Sequence, residues 1–328
     1  MCFRHVALAL LMGLATVAAQ AAPPRLVLLG TAGGPTPKKS RAAPAQALEL
    51  DGTVYVVDCG TGVGRQLALA GLPFKGLRHV FLTHHHSDHA ADLVTLPLLA
   101  WAAGNESTVT LHGPPPIRKA VREGLRAHGF DIETRRKDEG RPDLRDRIKV
   151  HAVEEDGLVL DDGRVRVTAA RVEHPPIVQA YAYRFDLPGW SFVISGDTAP
   201  SKNLVRLARG ADVLVHEVLL ADETEVSRWL EKPPDHPLVQ HVVQSHTSFR
   251  DVGRIAKEAG VKKLVLSHFV PGDAAVDREA VTAEIRKSFQ GELVFGEDLM
   301  VLTPATLQGS RRLPRTSHGL APPAGVEL

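Results

Sequence analysis

An α/β (α+β) architecture with sheets covered on both faces is what the sequence predicts, on three observations. Short apolar runs rich in β-forming residues recur along the chain, helical stretches lie between them, and 44% hydrophobic content over 328 residues is enough to bury a substantial core. The runs hold about four apolar residues without clean alternation, which suits strands buried on both sides.

In chain order, residues 26–29 run into Gly30-Thr31, 54–57 into Asp58 and 79–82 into Thr83-His84. Residues 192–194 then run into Ser195-Gly196-Asp197, 213–215 into His216-Glu217 and 264–266 into Ser267-His268. Polar groups ending successive strands fall along one sheet edge, where a site is assembled from distant positions. Helices are predicted over 63–70, 90–103, 117–128, 201–208, 249–259 and 278–289. Ser201 and Ser248 can begin theirs, and Gly129 and Gly260 fall where a C-terminal glycine is expected. Residues 131–163, with Arg135-Arg136-Lys137 and Asp161-Asp162-Gly163, read as a surface strand-and-loop excursion with a solvated face. Pro233-Pro234-Asp235-His236-Pro237 and Trp229 suggest an interface or a substrate-side loop, and the Pro, Gly and Arg content of 309–328 a loose tail.

Arg4 and His5, the apolar stretch 6–19 and Ala19-Gln20-Ala21 read as a secretory signal over 1–21 ahead of a domain spanning 22–308. The apolar stretch is shorter than the roughly 20 residues a spanning helix needs, so no membrane association is expected once it is removed, and the destination is secreted or periplasmic. Losing Arg4 leaves 38 basic and 38 acidic residues, a balance that speaks against gripping a long polyanion through many phosphates. Cys59 then stands alone, which excludes an intramolecular disulfide and a Cys-rich zinc site.

The informative segment is Thr83-His84-His85-His86-Ser87-Asp88-His89. Alternation puts His84 and His86 on one side, with Asp88 and His89 following as the chain turns into a helix. Four candidate ligands within six residues, between a β-rich run and an apolar helix, are unlike the polar disordered tracts in which chance histidine runs occur. Imidazole and carboxylate donors without thiolate suit zinc, or manganese or iron, in a reactive centre with an open position.

With His174 in Glu173-His174-Pro175, Asp197 in Ser195-Gly196-Asp197-Thr198 and His268 in Ser267-His268-Phe269, the chain resembles the metallo-β-lactamase superfamily over most of 25–300. The resemblance implies a four-layer αββα sandwich holding two Zn2+ ions at one edge. His84, His86 and His174 would bind one ion, Asp88, His89 and His268 the other, and Asp197 would bridge them. Asp58 would orient a ligand histidine through its second ring nitrogen, and His85 would point away. Asp88, His216 and His246 are the catalytic candidates, with Glu217 a further helper; His246 would stand near the departing group.

Ser195-Gly196-Asp197 argues against a true β-lactamase. Leu28 to Pro35, Asp58-Cys59-Gly60-Thr61-Gly62, Arg65-Gln66-Leu67 and the late His216-Glu217 with His246-Thr247 are similar to the ribonuclease Z and arylsulfatase-like group. In that group tRNA-processing members commonly carry an arm between the third histidine motif and the bridging aspartate, and here only 22 residues, filled by strand-like Val178 to Phe185 and Trp190 to Ile194, separate His174 from Asp197, so no arm is expected there. The expectation is therefore an exported hydrolase of a small ester, an aryl sulfate or a phosphodiester, with sulfate ahead on Gly33-Gly34-Pro35. A ribonuclease Z-like endonuclease acting on RNA is the alternative, followed by a lactonase and a non-catalytic metal- or ligand-binding protein. Lys38 to Arg41 form a mobile loop, mostly solvated, that could meet an anion, and the resemblance allows a homodimer.

Overall fold

The computed structural model describes residues 22–273 and 275–304 and the backbone of Arg311–Arg312. The predicted signal and the rest of the tail lie outside the described residues. Strands β1 (Arg25–Gly30), β2 (Ala45–Leu50), β3 (Thr53–Val57), β4 (Leu77–Phe81), β5 (Val109–Gly113) and β6 (Ile148–Ala152) build most of one sheet. Strands β7 (Gly157–Asp161), β8 (Arg166–His174), β9 (Ile177–Leu187), β10 (Trp190–Ile194), β11 (Val213–Leu219), β12 (Lys263–Val270) and β13 (Glu292–Phe295) build the second, in the order β13-β12-β11-β10-β9-β8-β7. Strands β14 (Met300–Leu302) and β15 (Arg311–Arg312) return to the first, giving β15-β14-β1-β2-β3-β4-β5-β6. Part of the segment expected to be a loose tail is thus a paired edge strand, bonded in register with Met300 and Val301.

Burial on both faces explains the lack of alternation. Leu26, Leu28, Tyr55 and Phe81 point between the sheets to meet Tyr183, Phe185 and Phe192, while Val27, Leu29, Val56 and Val80 point outward. The outward set is covered by α1 (Val63–Leu69), α3 (Thr95–Ala102) and α4 (Ile117–Ala127), the last two separated from β4 by the short helix α2 (Ser87–Ala90). After α5 (Gly129–Asp138), the outer face of the second sheet is covered by α6 (Lys202–Leu207), then α9 (Phe249–Ala259) and α10 (Arg278–Arg286), with α7 (Glu223–Leu230) and α8 (Pro237–Ser245) between. The layers are αββα. Fully burying each of these large apolar side chains contributes about 1.5–3 kcal/mol, against the conformational entropy lost on ordering the chain.

Three local expectations change. Residues 129–138 form a helix, and Gly129 opens it in place of ending the preceding one, whose cap is His128. The Pro-rich segment joins two helices that the sequence did not predict, α7, begun by a reciprocal capping box between Asp222 and Glu225, and α8, which has Pro237 in its first turn. Ser201 and Ser248 accept from backbone amides as caps, and Gly260 ends α9 with φ 65°. Among the described residues no helix is long and apolar enough to cross a membrane.

Strands β3 to β6 run parallel, as do β10 to β13, so their carboxyl ends, with the polar residues that follow, share one edge of the sandwich.

Candidate dinuclear metal centre

His84, His86, Asp88 and His89 occupy the turn between β4 and α2, because the buried Asp58 that follows β3 grips that turn. Asp58 Oδ1 accepts from the Thr83 amide at 2.8 Å, the Thr83 hydroxyl donates to the same carboxylate, and Asp58 Oδ2 accepts from His89 Nδ1 at 2.8 Å. Gly196 lets the bridging aspartate loop approach: a Cβ there would lie 3.0 Å from both Thr83 and the Tyr181 carbonyl, and its φ is 60°. Asp58 and His268 themselves have positive φ, 61° and 42°, conformations that cost of order 1–3 kcal/mol and are held by the surrounding contacts.

Three groups of donors result among the described residues, each with its ligand atoms within 4.8 Å of one another: His84, His86, His174 and Asp197; Asp88, His89, Asp197 and His268; and Glu217, His246 and His268, which shares His268 with the second. His86 Nδ1 lies 3.0 Å from His84 Nε2 and 3.1 Å from His174 Nε2; across the centre His89 Nε2 lies 3.2 Å from His268 Nε2. Asp197 spans the first two groups, Oδ2 facing His84 and His174 at 3.8 and 4.0 Å, Oδ1 facing His89 and His268 at 3.2 Å each. Asp88 Oδ2 is 3.5 Å from His268 and 3.6 Å from His89.

The donor set fits metal ions. Ligands about 2.0–2.1 Å from a tetrahedral ion stand about 3.3 Å apart, close to the separations found within the first two groups. The outer ring nitrogens of three histidines are already engaged, His84 Nδ1 by the Thr83 hydroxyl, His89 Nδ1 by Asp58 and His174 Nδ1 by the Ser245 carbonyl, so each Nε2 lone pair turns inward. Asp197 Oδ1 is buried without a hydrogen-bond partner among the described residues. Burial, then the neighbouring His89, pushes His84 well below the usual histidine range; burial and His174 hold His86 at about 4. Burial opposes the charge on Asp197, but His268 and His89 drive it well below the usual carboxylate range. Burial also opposes a proton on His89, and the carboxylates Asp197, Asp58 and Asp88 overcome it. That buried negative charge is what a pair of dications would neutralise.

His85 turns away, its Nε2 lying 2.8 Å from the Pro114 carbonyl. His246, after α8, engages Glu217 Oε1 through Nδ1 at 3.2 Å, and the same oxygen accepts from the amides of Thr198 and Thr247. Burial opposes a proton on His246, but Glu217 pushes it up to about 9. His216 does not join the centre. Val213, Val215 and Glu217 of β11 face inward, whereas Leu214 and Val218 pack under the outer helices; His216 shares their parity and its Nδ1 donates to the Glu217 carbonyl at 2.7 Å. Asp88 faces the second group as a ligand.

A cavity of about 440 Å³ opens beside the centre, lined by His86, Asp88, Asp197, His246 and His268. One wall is apolar, from Trp229, Leu230, Leu238 and Val242 of α7 and α8; the opposite wall is the loop from Gly33 to Lys38. Lys38 therefore reaches the site, while Arg41 is held by Thr31 and the Gly296 carbonyl and lies 4.2 Å over the Phe269 ring. His241, not singled out from the sequence, stands beside His86 and His174 at ring separations of 5.8 and 6.0 Å. The capping pattern of α7 and the Pro opening α8 were the available signals for the helices that carry it.

An αββα sandwich with a carboxylate-bridged, nitrogen-and-oxygen donor set at its edge defines a metal-dependent hydrolase. A family model described as a beta-lactamase superfamily domain matches residues 53–269. Ribonuclease Z of Mycobacterium marinum is 33% identical over 277 residues, 84% of this chain and 96% of the relative. Ribonuclease Z of Mycobacterium sp. strain KMS is 34% identical over 278 residues, 84% and 94% of the two chains. Among solved structures the short form of human tRNase Z is similar at 21% identity and a TM-score of 0.63, covering 85% of this chain and 98% of that one. The metallo-β-lactamase fold protein YhfI of Bacillus subtilis is similar at 23% identity and a TM-score of 0.63, covering 86% and 99%. The chain belongs to the metallo-β-lactamase superfamily of hydrolases, within its ribonuclease Z-like group.

Proposed function

We propose that the chain is a ribonuclease Z-like phosphodiesterase cleaving RNA or a short oligoribonucleotide, with divalent metal, zinc by default, held by His84, His86 and His174, by Asp88, His89 and His268, and by Asp197 between. Two bound dications would supply an activated water and neutralise charge growing on the phosphoryl group. The observation that carries the reading is the His246–Glu217 pair at the cavity. Glu217, fixed by two amides, engages His246 through Nδ1 and so favours its protonated form, leaving Nε2 to donate to the departing oxygen. A ribose oxygen is a poor leaving group and needs that proton, whereas an aryl oxide departs without it. Weight accordingly moves from the aryl sulfate favoured by Gly33-Gly34-Pro35 to the phosphodiester, in agreement with the ribonuclease Z relatives.

Lys38 at the mouth would meet a phosphate, and Trp229 offers a ring to a base. The cavity suits a nucleotide-sized group. Strands β9 and β10 fill the interval in which an arm would be inserted, so any longer RNA is held by other means. The test is steady-state turnover of an oligoribonucleotide beside an aryl sulfate by zinc-loaded protein, with Asp197→Ala as control. Faster sulfate turnover would sink the reading; loss of diester cleavage in the control alone supports it.

A further inference from the structure

Away from the metal edge, a cavity of about 510 Å³ lies between α4, the start of α5 and β6. Its floor is apolar, from Val121, Leu125, Ile148 and Val150, and among the described residues β6 ends its sheet with no strand beyond it. Its rim is cationic. Arg118, Arg122 and Arg126 follow one another at four-residue spacing on one face of α4, about 6 Å apart along the axis, with Arg145 also on the rim. Among the described residues Arg118 donates to the Val150 carbonyl and Arg122 and Arg126 pair with the exposed Glu123, whereas Arg145 is held in a two-point fork on Asp143 and also pairs with Glu133. Exposed pairs such as those to Glu123 are worth about 0–1 kcal/mol and yield to a polyanion. Residues 117–149 carry eleven Lys and Arg against seven Asp and Glu, within a chain whose totals balance at 39 against 38. Phe130, next to the lining residue Gly129, is 87% exposed.

The Pro114 carbonyl that lies 2.8 Å from His85 Nε2 also accepts from the amide of Ile117, the first residue of α4, so the helix that carries Arg118 starts beside the histidine turn. We propose that this groove holds single-stranded RNA running toward the metal centre, its phosphates on Arg118, Arg122, Arg126 and Arg145 and a base stacked on Phe130. The inference rests on the reading that the chain acts on RNA. Spaced cations over an apolar floor with one exposed ring are what binding by backbone and stacking requires.

Anisotropy of a fluorescent oligouridylate, titrated with salt, tests it on the full chain freed of metal. Charge reversal at Arg122→Glu with Arg126→Glu is expected to weaken binding at least about tenfold at low salt and to reduce the salt slope by about 1.4, two phosphate contacts of a single strand. Phe130→Ala weakens binding with the slope unchanged, and Arg254→Glu, on the distant helix α9, changes neither. The neutral pair Arg122→Gln with Arg126→Gln repeats the slope change should charge reversal disturb folding. Turnover of bis(p-nitrophenyl) phosphate by the metal-loaded variants should equal that of the native chain. Equal weakening by Arg254→Glu, no weakening by either pair, or binding to phosphatidylglycerol vesicles without binding to RNA would overturn the groove. RNA bound through the groove but never cleaved would leave the groove standing and remove the phosphodiesterase reading.

Discussion

In the proposed reaction His246 and Glu217 would act as a unit, Glu217 setting the charge and aim of His246 and His246 meeting the reacting atoms. His246→Ala is expected to lower kcat on an oligoribonucleotide by about 10²–10⁴-fold and to change turnover of a p-nitrophenyl diester little, since general-acid assistance matters only for a poor leaving group. Similar losses on both substrates would show that His246 acts in binding. Glu217→Gln keeps the shape and removes the charge, so the pH at which activity falls on the alkaline side should move down. At Asp58, Asp58→Asn leaves one oxygen for the Thr83 amide but weakens the hold on His89 Nδ1. Zinc affinity, read by competition with a chromogenic chelator, should drop about 10–100-fold. These residues were legible because the ligands nearest in sequence fix one another's geometry and the others follow strands. His216 was misplaced because two adjacent polar residues at a strand end face opposite ways, and only the partner sheet shows which parity faces the metals.

At the scale of elements, neighbouring strands β4, β5 and β6 carry a ladder that the sequence did not single out. His79 Nδ1 meets His112 Nε2 at 3.1 Å, and His112 Nδ1 meets His151 Nδ1 at 3.1 Å, a chain satisfied by neutral rings. Burial lowers His79 to about 4 and, with His79 beside it, lowers His112 to about 3. An unfolded histidine titrates near 6.5. Below that value the unfolded chain binds more protons than the folded one, so the stability contributed by the neutral rings is full above about pH 6.5 and is lost as pH falls toward 4. Urea midpoints measured at neutral and mildly acid pH should therefore fall more steeply for the native chain than for His79→Phe; parallel declines would refute the assignment. The ladder was invisible because its members lie dozens of residues apart. Strands could be read from runs of apolar residues, but α7 and α8 were hidden by their Pro-rich junction, and with them Leu238 and His241 at the cavity, whereas Trp229 was marked with that junction as part of an interface or substrate-side loop.

For the whole molecule, residues 1–21 alone carry the expectation of export to the periplasm or beyond, and the mass of the purified native protein tests it: removal of 1–21 is expected, and an intact N-terminus would overturn the cleaved signal. The metals bear on the fold itself. His84, His86, Asp88 and His89 follow β4 of the first sheet, whereas His174 and His268 lie in strands of the second and Asp197 follows its β10, so each of these two groups of ligands draws on both sheets. A bound ion at either position therefore ties the two halves of the sandwich, and it can do so only in the folded chain. Ligand present at about 1,000 times its dissociation constant stabilises by about 4 kcal/mol per site, and for a domain of this size each kcal/mol moves Tm by about 2–4 °C. Removing both ions also leaves Asp58, Asp88 and Asp197 buried together with only histidine protons to offset them. Chelation should lower Tm by at least about 10 °C in a single calorimetric transition, and added zinc should restore it. Because Asp197→Ala removes the ligand common to both groups, that variant should start near the chelated midpoint and respond little to zinc. A chelated native chain that kept its midpoint would mean that the ions decorate the edge of a sandwich whose sheets are joined by the aromatic core alone.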